Sequence, residues 1–136
     1  MQYTAVATAD GNGRNGKVSS SDGMINLPLG IPVELGGAGG DASNPEQLFA
    51  AGYAGCFMSA LSTVARAHRV KLLEPSVTAH VTIAHGDDGF NLSVKLLVDL
   101  PGVDAGTAQT LFDGAHARCP YSRAVRGNIP VAIELA

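Results

Sequence analysis

The sequence has no tryptophan, only two cysteines and few aromatic side chains among its 136 residues. Aromatic residues make up 5% of the chain, which leaves little material for the stacking surfaces that hold unpaired bases. The formal net charge is -3, so the chain lacks the excess positive charge that phosphate backbones and anionic lipids attract. Two cysteines are also too few for a disulfide-stabilised scaffold. These shortages predict no nucleic acid partner, no membrane partner and no disulfide-rich extracellular domain.

Export and membrane signals are sparse as well. The N-terminal sequence MQYTAVATAD alternates and carries no basic segment, so no signal peptide is expected. No segment is expected to reach the roughly 20 apolar residues of a membrane span. We therefore predict a cytoplasmic location, where a lasting structural disulfide is not expected. The hydrophobic share of 46% is typical of a globular chain, and the length predicts one domain, residues 1–136.

Hydrophobic periodicity and turn residues predict an α+β fold. Two helices are expected, one from Asn44 to about residue 68 and one from Asp104 to about residue 117, and a short helical turn is expected to open at Cys119. The order is βββ-α-ββ-α-β with antiparallel hairpins. Strands are predicted at 3–9, at 17–27 as two short strands around Asp22-Gly23, at 76–86, at 90–100 and at 129–135.

The long helix has a clear start and an unusual composition. Asn44 is a good N-cap, Pro45 suits the first helical position, and Gln47 could complete a capping box. The helix is apolar nearly all round, so we expect it to be buried on most sides. Gly52 and Gly55 each cost roughly 1 kcal/mol relative to alanine, so a close neighbour such as another backbone is expected there. We predict a helix clasped between sheets that contacts a partner subunit in a twofold dimer.

The two cysteines allow two interpretations. Cys56 lies in the apolar helix, where a free cysteine usually acts as a small hydrophobic residue. Cys119 precedes Pro120 at a predicted helix start, a position that favours a negative charge. Nothing else in the chain competes as a catalytic centre. Spacing alone therefore leaves both a structural role and a paired redox role open.

Other kinds of site find little support. His116 and Cys119 are spaced as possible metal ligands, and Cys56 could add a third, but no CxxC or HExxH motif occurs. The glycine-rich segment 36–43 is not followed by the GK[ST] of a P-loop, and no GxSxG motif is present. No metal and no cofactor are predicted.

Two longer motifs carry a resemblance to a known family. Residues 36–57, GGAGGDASNPEQLFAAGYAGCF, together with CPYS at 119–122 and RGN at 126–128, resemble the Ohr group of the OsmC/Ohr family. The similarity spans the whole chain, including SSDG at 20–23, and AAGYAGCF favours the Ohr branch. It implies an intertwined homodimer whose antiparallel sheets wrap around a long central helix, with active sites at the subunit interface. It also implies a thiol peroxidase that reduces organic hydroperoxides to alcohols and is recycled by lipoylated proteins or another dithiol.

The resemblance also assigns roles to individual residues. Cys56 looks like the peroxidatic cysteine and Cys119 like the resolving cysteine. Arg14, in GRNGKV, matches the active-site arginine of the family, and Glu46, in NPEQ, matches its glutamate partner. Without the family, Arg14 would be an ordinary turn residue and Glu46 a surface acid favoured by the helix dipole. The segment RAV at 123–125 departs from the Asn-Ala-Thr often found in the family and adds a charge near Cys119.

These roles make chemical sense. Burial raises the pKa of a thiol, so a buried nucleophile at Cys56 would need a cation such as Arg14, and Glu46 would orient and balance that cation. Glu46 and Cys56 are ten residues apart, about 15 Å of helical rise, which leads to the hypothesis that each site combines groups from two chains. Aromatic side chains near Cys56 are expected to form an apolar pocket for alkyl or fatty-acid hydroperoxides, namely Phe49, Tyr53 and Phe57.

Two rival functions remain open at this stage. One is a non-enzymatic redox-sensing or ligand-binding protein on the same scaffold, which would react once and not turn over. The other is a structural interaction protein, in which Cys56 only fills space.

Overall fold

The computed structural model describes the whole chain, Met1 to Ala136, which forms two compact units, Met1–Leu48 and Phe49–Ala136. The predicted α+β class is confirmed. Two short 3-10 turns, Gly13–Asn15 and Val33–Leu35, lie in the first unit. The helices and strands are β1 Ala7–Asp10, β2 Lys17–Ser20, β3 Asn26–Pro28, α1 Pro45–Ala67, β4 Ser76–Gly86, β5 Gly89–Asp99, α2 Ala105–Arg118, α3 Pro120–Val125 and β6 Val131–Leu135.

The first unit contains a small antiparallel sheet in the order β1-β2-β3. Asp22 organises the β2–β3 turn, because its carboxylate accepts hydrogen bonds from the Ser20 hydroxyl and the Met24 backbone N–H. The strand predicted from residue 3 begins only at Ala7. Leu29 is the only buried hydrophobic residue of this unit, so the sheet has almost no core of its own.

The second unit contains a sheet in the order β4-β5-β6. Strands β4 and β5 form the predicted hairpin, with Val81 opposite Val94 and Gly86 opposite Gly89. Strand β6 instead pairs parallel to β5, with Val94 opposite Val131, which corrects the expectation of purely antiparallel sheets. The reason is the connection: α2 and α3 lie between β5 and β6, and a parallel pair needs such a long crossover.

One face of α1 packs into the core of the second unit. The buried residues of this helix are spaced three or four positions apart or are adjacent pairs at such spacings, as expected for a single helix face. They are Tyr53, Phe57, Ala60, Leu61, Val64 and Ala65. They pack with buried residues of β5, α2 and the segments that follow these two elements, including Leu96, Val98, Leu111, Ala115 and Cys119. Burial of α1 on most sides is therefore not found within one chain.

Helix α1 also corrects the expectation about membrane-sized segments. By length and composition it could cross a membrane, since an 18-residue window has a mean hydropathy of 1.5. One such helix is a weak indication, because the core helix of a soluble protein meets the same criterion. A third of that window is buried inside this chain.

Both predicted helix caps are present. The Asn44 side chain accepts a hydrogen bond of 2.8 Å from the Gln47 backbone N–H, and Asp104 accepts one of 3.0 Å from Thr107 in the same way. The capping box is only half formed, because the Gln47 side chain accepts a hydrogen bond from the Ser43 hydroxyl at 3.0 Å.

Candidate active site

The two cysteines lie side by side in the second unit. Cys56 on α1 is half-buried, and Cys119, between α2 and α3, is completely buried. Both are free thiols, and the Cys119 Sγ donates a hydrogen bond to the Cys56 Sγ at 3.4 Å. A disulfide requires about 2.05 Å between the sulfur atoms, so bond formation needs only a small further approach. The fold thus brings together two thiols that are 63 residues apart in sequence.

The backbone of Cys119 is anchored on both sides. Its N–H donates to the Ala115 carbonyl at 2.8 Å as the last hydrogen bond of α2, and its carbonyl accepts from the Arg123 N–H at 3.0 Å as the first of α3. Its own conformation is non-helical, with ψ at 122°, and Pro120 follows at the first position of α3. Cys119 therefore forms the corner between two helices.

The surroundings of Cys56 favour its protonated form. Burial raises the pKa of the Cys56 thiol, and the neighbouring Cys119 sulfur raises it further, because two thiolates so close together would repel each other. A hydrogen bond from the backbone N–H of Tyr121 lowers it but does not compensate. A nearby positive charge would be needed to make this thiol reactive at neutral pH.

The first unit holds the second predicted pair. Arg14 Nη1 donates to Glu46 Oε2 at 2.9 Å, and Nη2 donates to Oε1 at 2.7 Å, so the pair is bidentate. Arg14 lies in the turn Gly13–Asn15, which Gly16 closes against β1: a Cβ at Gly16 would lie 2.0 Å from the Asp10 carbonyl oxygen.

The ion pair shifts the pKa values of both groups. The hydrogen bonds from Arg14 hold the pKa of Glu46 below its usual value, and Glu46 raises the pKa of Arg14. The Arg14 side chain is 40% exposed, so solvent screening limits the stabilisation to about 1 kcal/mol or less. The pair therefore fixes the orientation of the guanidinium more than it stabilises the fold.

An open groove of about 350 Å³ lies beside Cys56. Three of its residues, Cys56, Ser59 and Thr63, share one stripe of α1. The other lining residues are Ala60, Arg118 and Pro120. The groove therefore combines a small apolar floor with hydroxyls and one cation.

Comparisons with known proteins agree on one family. Residues 37–134 match the family described as OsmC-like protein. The chain is 52% identical over 135 residues to an organic hydroperoxide resistance protein of Xanthomonas axonopodis pv. citri, covering 98% of this chain and 94% of that protein. The chain belongs to the Ohr group of the OsmC/Ohr family.

Structural and further sequence relatives agree with that assignment. The OsmC/Ohr protein OhrA of Bacillus subtilis is 47% identical over 137 residues, covering 98% of this chain and 96% of that protein. The crystal structure of OhrB from the same organism superposes with a TM-score of 0.91 at 40% identity and covers 98% of each chain. The fold is therefore the OsmC/Ohr fold that the resemblance implied.

Both predicted pairs of this OsmC/Ohr chain are in contact, Cys56 with Cys119 and Arg14 with Glu46. The pairs lie in different units, and the hypothesis of a site shared between two chains stays a prediction. No three His, Cys, Asp or Glu side chains come close enough to hold a metal ion. The buried Nδ1 atom of His116 has no hydrogen-bond partner.

The aromatic residues near Cys56 differ in their surroundings. Tyr53 and Phe57 are completely buried in the core, whereas Phe49 is half-buried. Phe49, Tyr53 and Tyr121 form a cluster with ring centroids 5.8 to 6.0 Å apart. The apolar substrate pocket of Phe49, Tyr53 and Phe57 stays a prediction, since the open groove at Cys56 is lined by other residues.

Sequence reasoning missed the groove and misjudged a glycine. The spacing of Ser59 and Thr63, three and seven residues after Cys56, could have revealed the stripe. Gly52 does have a close neighbour, but it is the Tyr121 ring: a Cβ at Gly52 would lie 2.8 Å from the Tyr121 hydroxyl oxygen. A Cβ at Gly55 would meet nothing within 4 Å.

Proposed function

We propose that this protein is a thiol-dependent peroxidase that reduces organic hydroperoxides, alkyl or fatty-acid, to alcohols. Its relatives are named organic hydroperoxide resistance proteins, which supports a role in defence against organic hydroperoxide stress. The observation that carries the chemistry is the pair of free thiols 3.4 Å apart, of which Cys56 lines an open groove and Cys119 is buried behind it.

In the proposed reaction the Cys56 thiolate attacks the distal oxygen of the hydroperoxide. The O–O bond breaks, the alkoxide takes up a proton and leaves as alcohol, and Cys56 becomes a sulfenic acid. The Cys119 sulfur then attacks the Cys56 sulfur, an S–S bond forms, and the hydroxyl leaves as water with the thiol proton. An external dithiol, such as a lipoylated protein, returns two electrons by thiol–disulfide exchange. Because the dithiol supplies the electrons, no cofactor is required.

Arg14 and Glu46 complete the proposed site. Arg14 would stabilise the Cys56 thiolate and the charge that develops on the leaving alkoxide, and Glu46 would hold the guanidinium in place. The bidentate contact between Arg14 and Glu46 supports this division of labour. The pKa of Cys56, which burial raises, supports the need for a cation.

A cytoplasmic homodimer is part of the same proposal, with a single domain per chain and sites shared between subunits. The first unit exposes large apolar side chains and has one buried hydrophobic residue, so a second copy would cover otherwise solvated surface. The three most exposed are Met1, Tyr3 and Met24. A monomeric mass by light scattering at micromolar concentration would contradict the dimer.

The function is tested by mixing the reduced protein with cumene hydroperoxide and dihydrolipoamide and following peroxide loss. We expect many turnovers in the wild type and a loss of at least ~10³-fold in Cys56→Ser, because the nucleophile is gone. Matched thermal unfolding of Cys56→Ser controls for folding. If the wild type consumes one equivalent of peroxide and no dithiol supports further turnover, the protein is a non-enzymatic redox sensor. If it consumes no peroxide, Cys56 has a structural role.

A further inference from the structure

A buried hydroxyl pair lies next to the thiol pair. The Tyr53 and Ser122 hydroxyl oxygens are 2.8 Å apart and hydrogen-bonded, and both residues are completely buried. Tyr53 precedes Cys56 by three residues, and Ser122 follows Cys119 by three residues. Three residues are almost one helical turn, so the hydroxyl pair joins the same two segments one turn away from the sulfur atoms.

The short helix α3 depends on such contacts for its position. It has six residues, fewer than an isolated helix needs to be stable in water. Apart from the thiol contact and the hydrogen bond from the Tyr121 backbone N–H to Cys56, the Tyr53–Ser122 hydrogen bond is the only side-chain hydrogen bond between α1 and the segment Cys119–Val125. The Tyr121 ring packs against Gly52, a contact that is less directional than a hydrogen bond.

From this geometry we infer that Tyr53 and Ser122 are positioning residues for disulfide formation. They form no hydrogen bond with either sulfur atom; they hold Cys119 within reach of Cys56 while the sulfenic acid exists. The inference rests on the proposed peroxidase function. It concerns the step in which Cys119 displaces water from the Cys56 sulfenic acid, because intramolecular attack depends strongly on orientation.

A competing reaction makes this positioning measurable. A second hydroperoxide can oxidise the sulfenic acid to sulfinic acid, releasing a second alcohol, and that product cannot be resolved by Cys119. The ratio of disulfide to sulfinic acid therefore reports how fast Cys119 reacts relative to peroxide. In the first oxidation of Cys56 the Cys119 sulfur forms and breaks no bond, so the rate of that step should change much less than the product ratio.

The experiment treats the reduced full-length protein with increasing cumene hydroperoxide, without a dithiol, and measures the two products by intact-protein mass. Tyr53→Phe and Ser122→Ala should each shift the ratio on the order of tenfold towards sulfinic acid. Ser122 lies outside the predicted substrate pocket, so Ser122→Ala should change the rate of the first oxidation less than about twofold. The double variant should be no worse than the single variants, because all three lose the same hydrogen bond. Ser62→Ala, a half-buried serine on α1 whose hydroxyl contacts only Met58 in its own helix, is the matched control and should resemble wild type.

The outcomes separate the two proposals. Wild-type product ratios in both single variants would overturn the positioning role alone, and so would a shift in only one of them, since the bond needs both partners. Failure of peroxide to oxidise Cys56 in the wild type would remove the proposed function and the positioning role together. Because the two variants alter opposite ends of one bond, misfolding of either leaves the other as the test.

Discussion

The two units of this chain hold their candidate site residues in opposite ways. In Phe49–Ala136 the thiol pair borders a continuous core, and Cys119 itself is part of that core. In Met1–Leu48 the Arg14–Glu46 pair lies on a unit with one buried hydrophobic residue, and two hydrogen bonds fix its geometry. Packing positions the sulfur atoms, whereas a local ion pair positions the charge.

This difference matches the role proposed for each group. Sulfur atoms react only when they come within bonding distance, so the segments that carry them must hold them about 3–3.5 Å apart before reaction. A guanidinium acts through Coulombic attraction, which falls off only with the inverse of distance, and through hydrogen bonds that can be re-formed. A close-packed unit suits the first task, and a turn with little buried surface suits the second.

The largest expected effect is the difference between the two units in how much a truncated side chain lowers the free energy of unfolding. Leu61 is completely buried in the second unit, so Leu61→Ala should lower the free energy of unfolding by about 2–5 kcal/mol. Val33 is 67% exposed in the first unit, and Val33→Ala should change it by no more than about 0.5 kcal/mol. Urea unfolding of both variants at one protein concentration makes the measurement. Equal losses would show that the first unit has a core that one chain does not reveal.

The second prediction is a variant that loses activity while its stability stays almost unchanged. Arg14→Met should lower kcat/KM for cumene hydroperoxide about 10²-fold, because thiolate and alkoxide lose their proposed cation, while stability changes by about 1 kcal/mol or less. Arg14→Lys keeps the charge but not the bidentate geometry, so its kcat/KM should lie between those of the wild type and Arg14→Met.

The pKa of Cys56 sharpens the same test. Burial raises this pKa, so the thiol form is favoured in the folded chain, and stability from that source is lost as pH rises through the folded pKa. If Arg14 stabilises the Cys56 thiolate, its removal should raise the pKa of Cys56. In a Cys119→Ser background, the pH at which alkylation of Cys56 becomes fast should therefore be higher in Arg14→Met than with Arg14 present. Unchanged activity and an unchanged pH profile would reduce Arg14 to a turn residue.

The smallest expected effect concerns how much Glu46 contributes to the free energy of unfolding as the pH falls. The pKa of Glu46 is lowered by Arg14, so the stability that the pair contributes is present above the unfolded value of about 4.3 and is lost as pH falls through the folded pKa. Glu46→Gln should therefore cost about 1 kcal/mol or less at neutral pH, and the difference from wild type should vanish in acid. Urea midpoints across this range measure it; a difference independent of pH would mean that charge is not responsible.

Local sequence signals predicted the elements of the fold well. The cap at Asn44, the cap at Asp104 and the β4–β5 hairpin all depend on residues a few positions apart, and all are present. The signals failed where distant segments decide. They could not show that β6 runs parallel to β5 or that the neighbour of Gly52 is Tyr121.

The sequence by itself determined the order and approximate positions of the helices and strands, which residues carry thiols and charges, and, through two long motifs, the family. The tertiary structure brings Arg14 to Glu46 across 32 positions and Cys56 to Cys119 across 63, pairs that the family resemblance implied. Only the tertiary structure decided that Tyr53 meets Ser122 across 69 positions. Periodicity and capping report on neighbours within one or two turns, whereas these contacts form only when helices and sheets pack and bury their apolar faces.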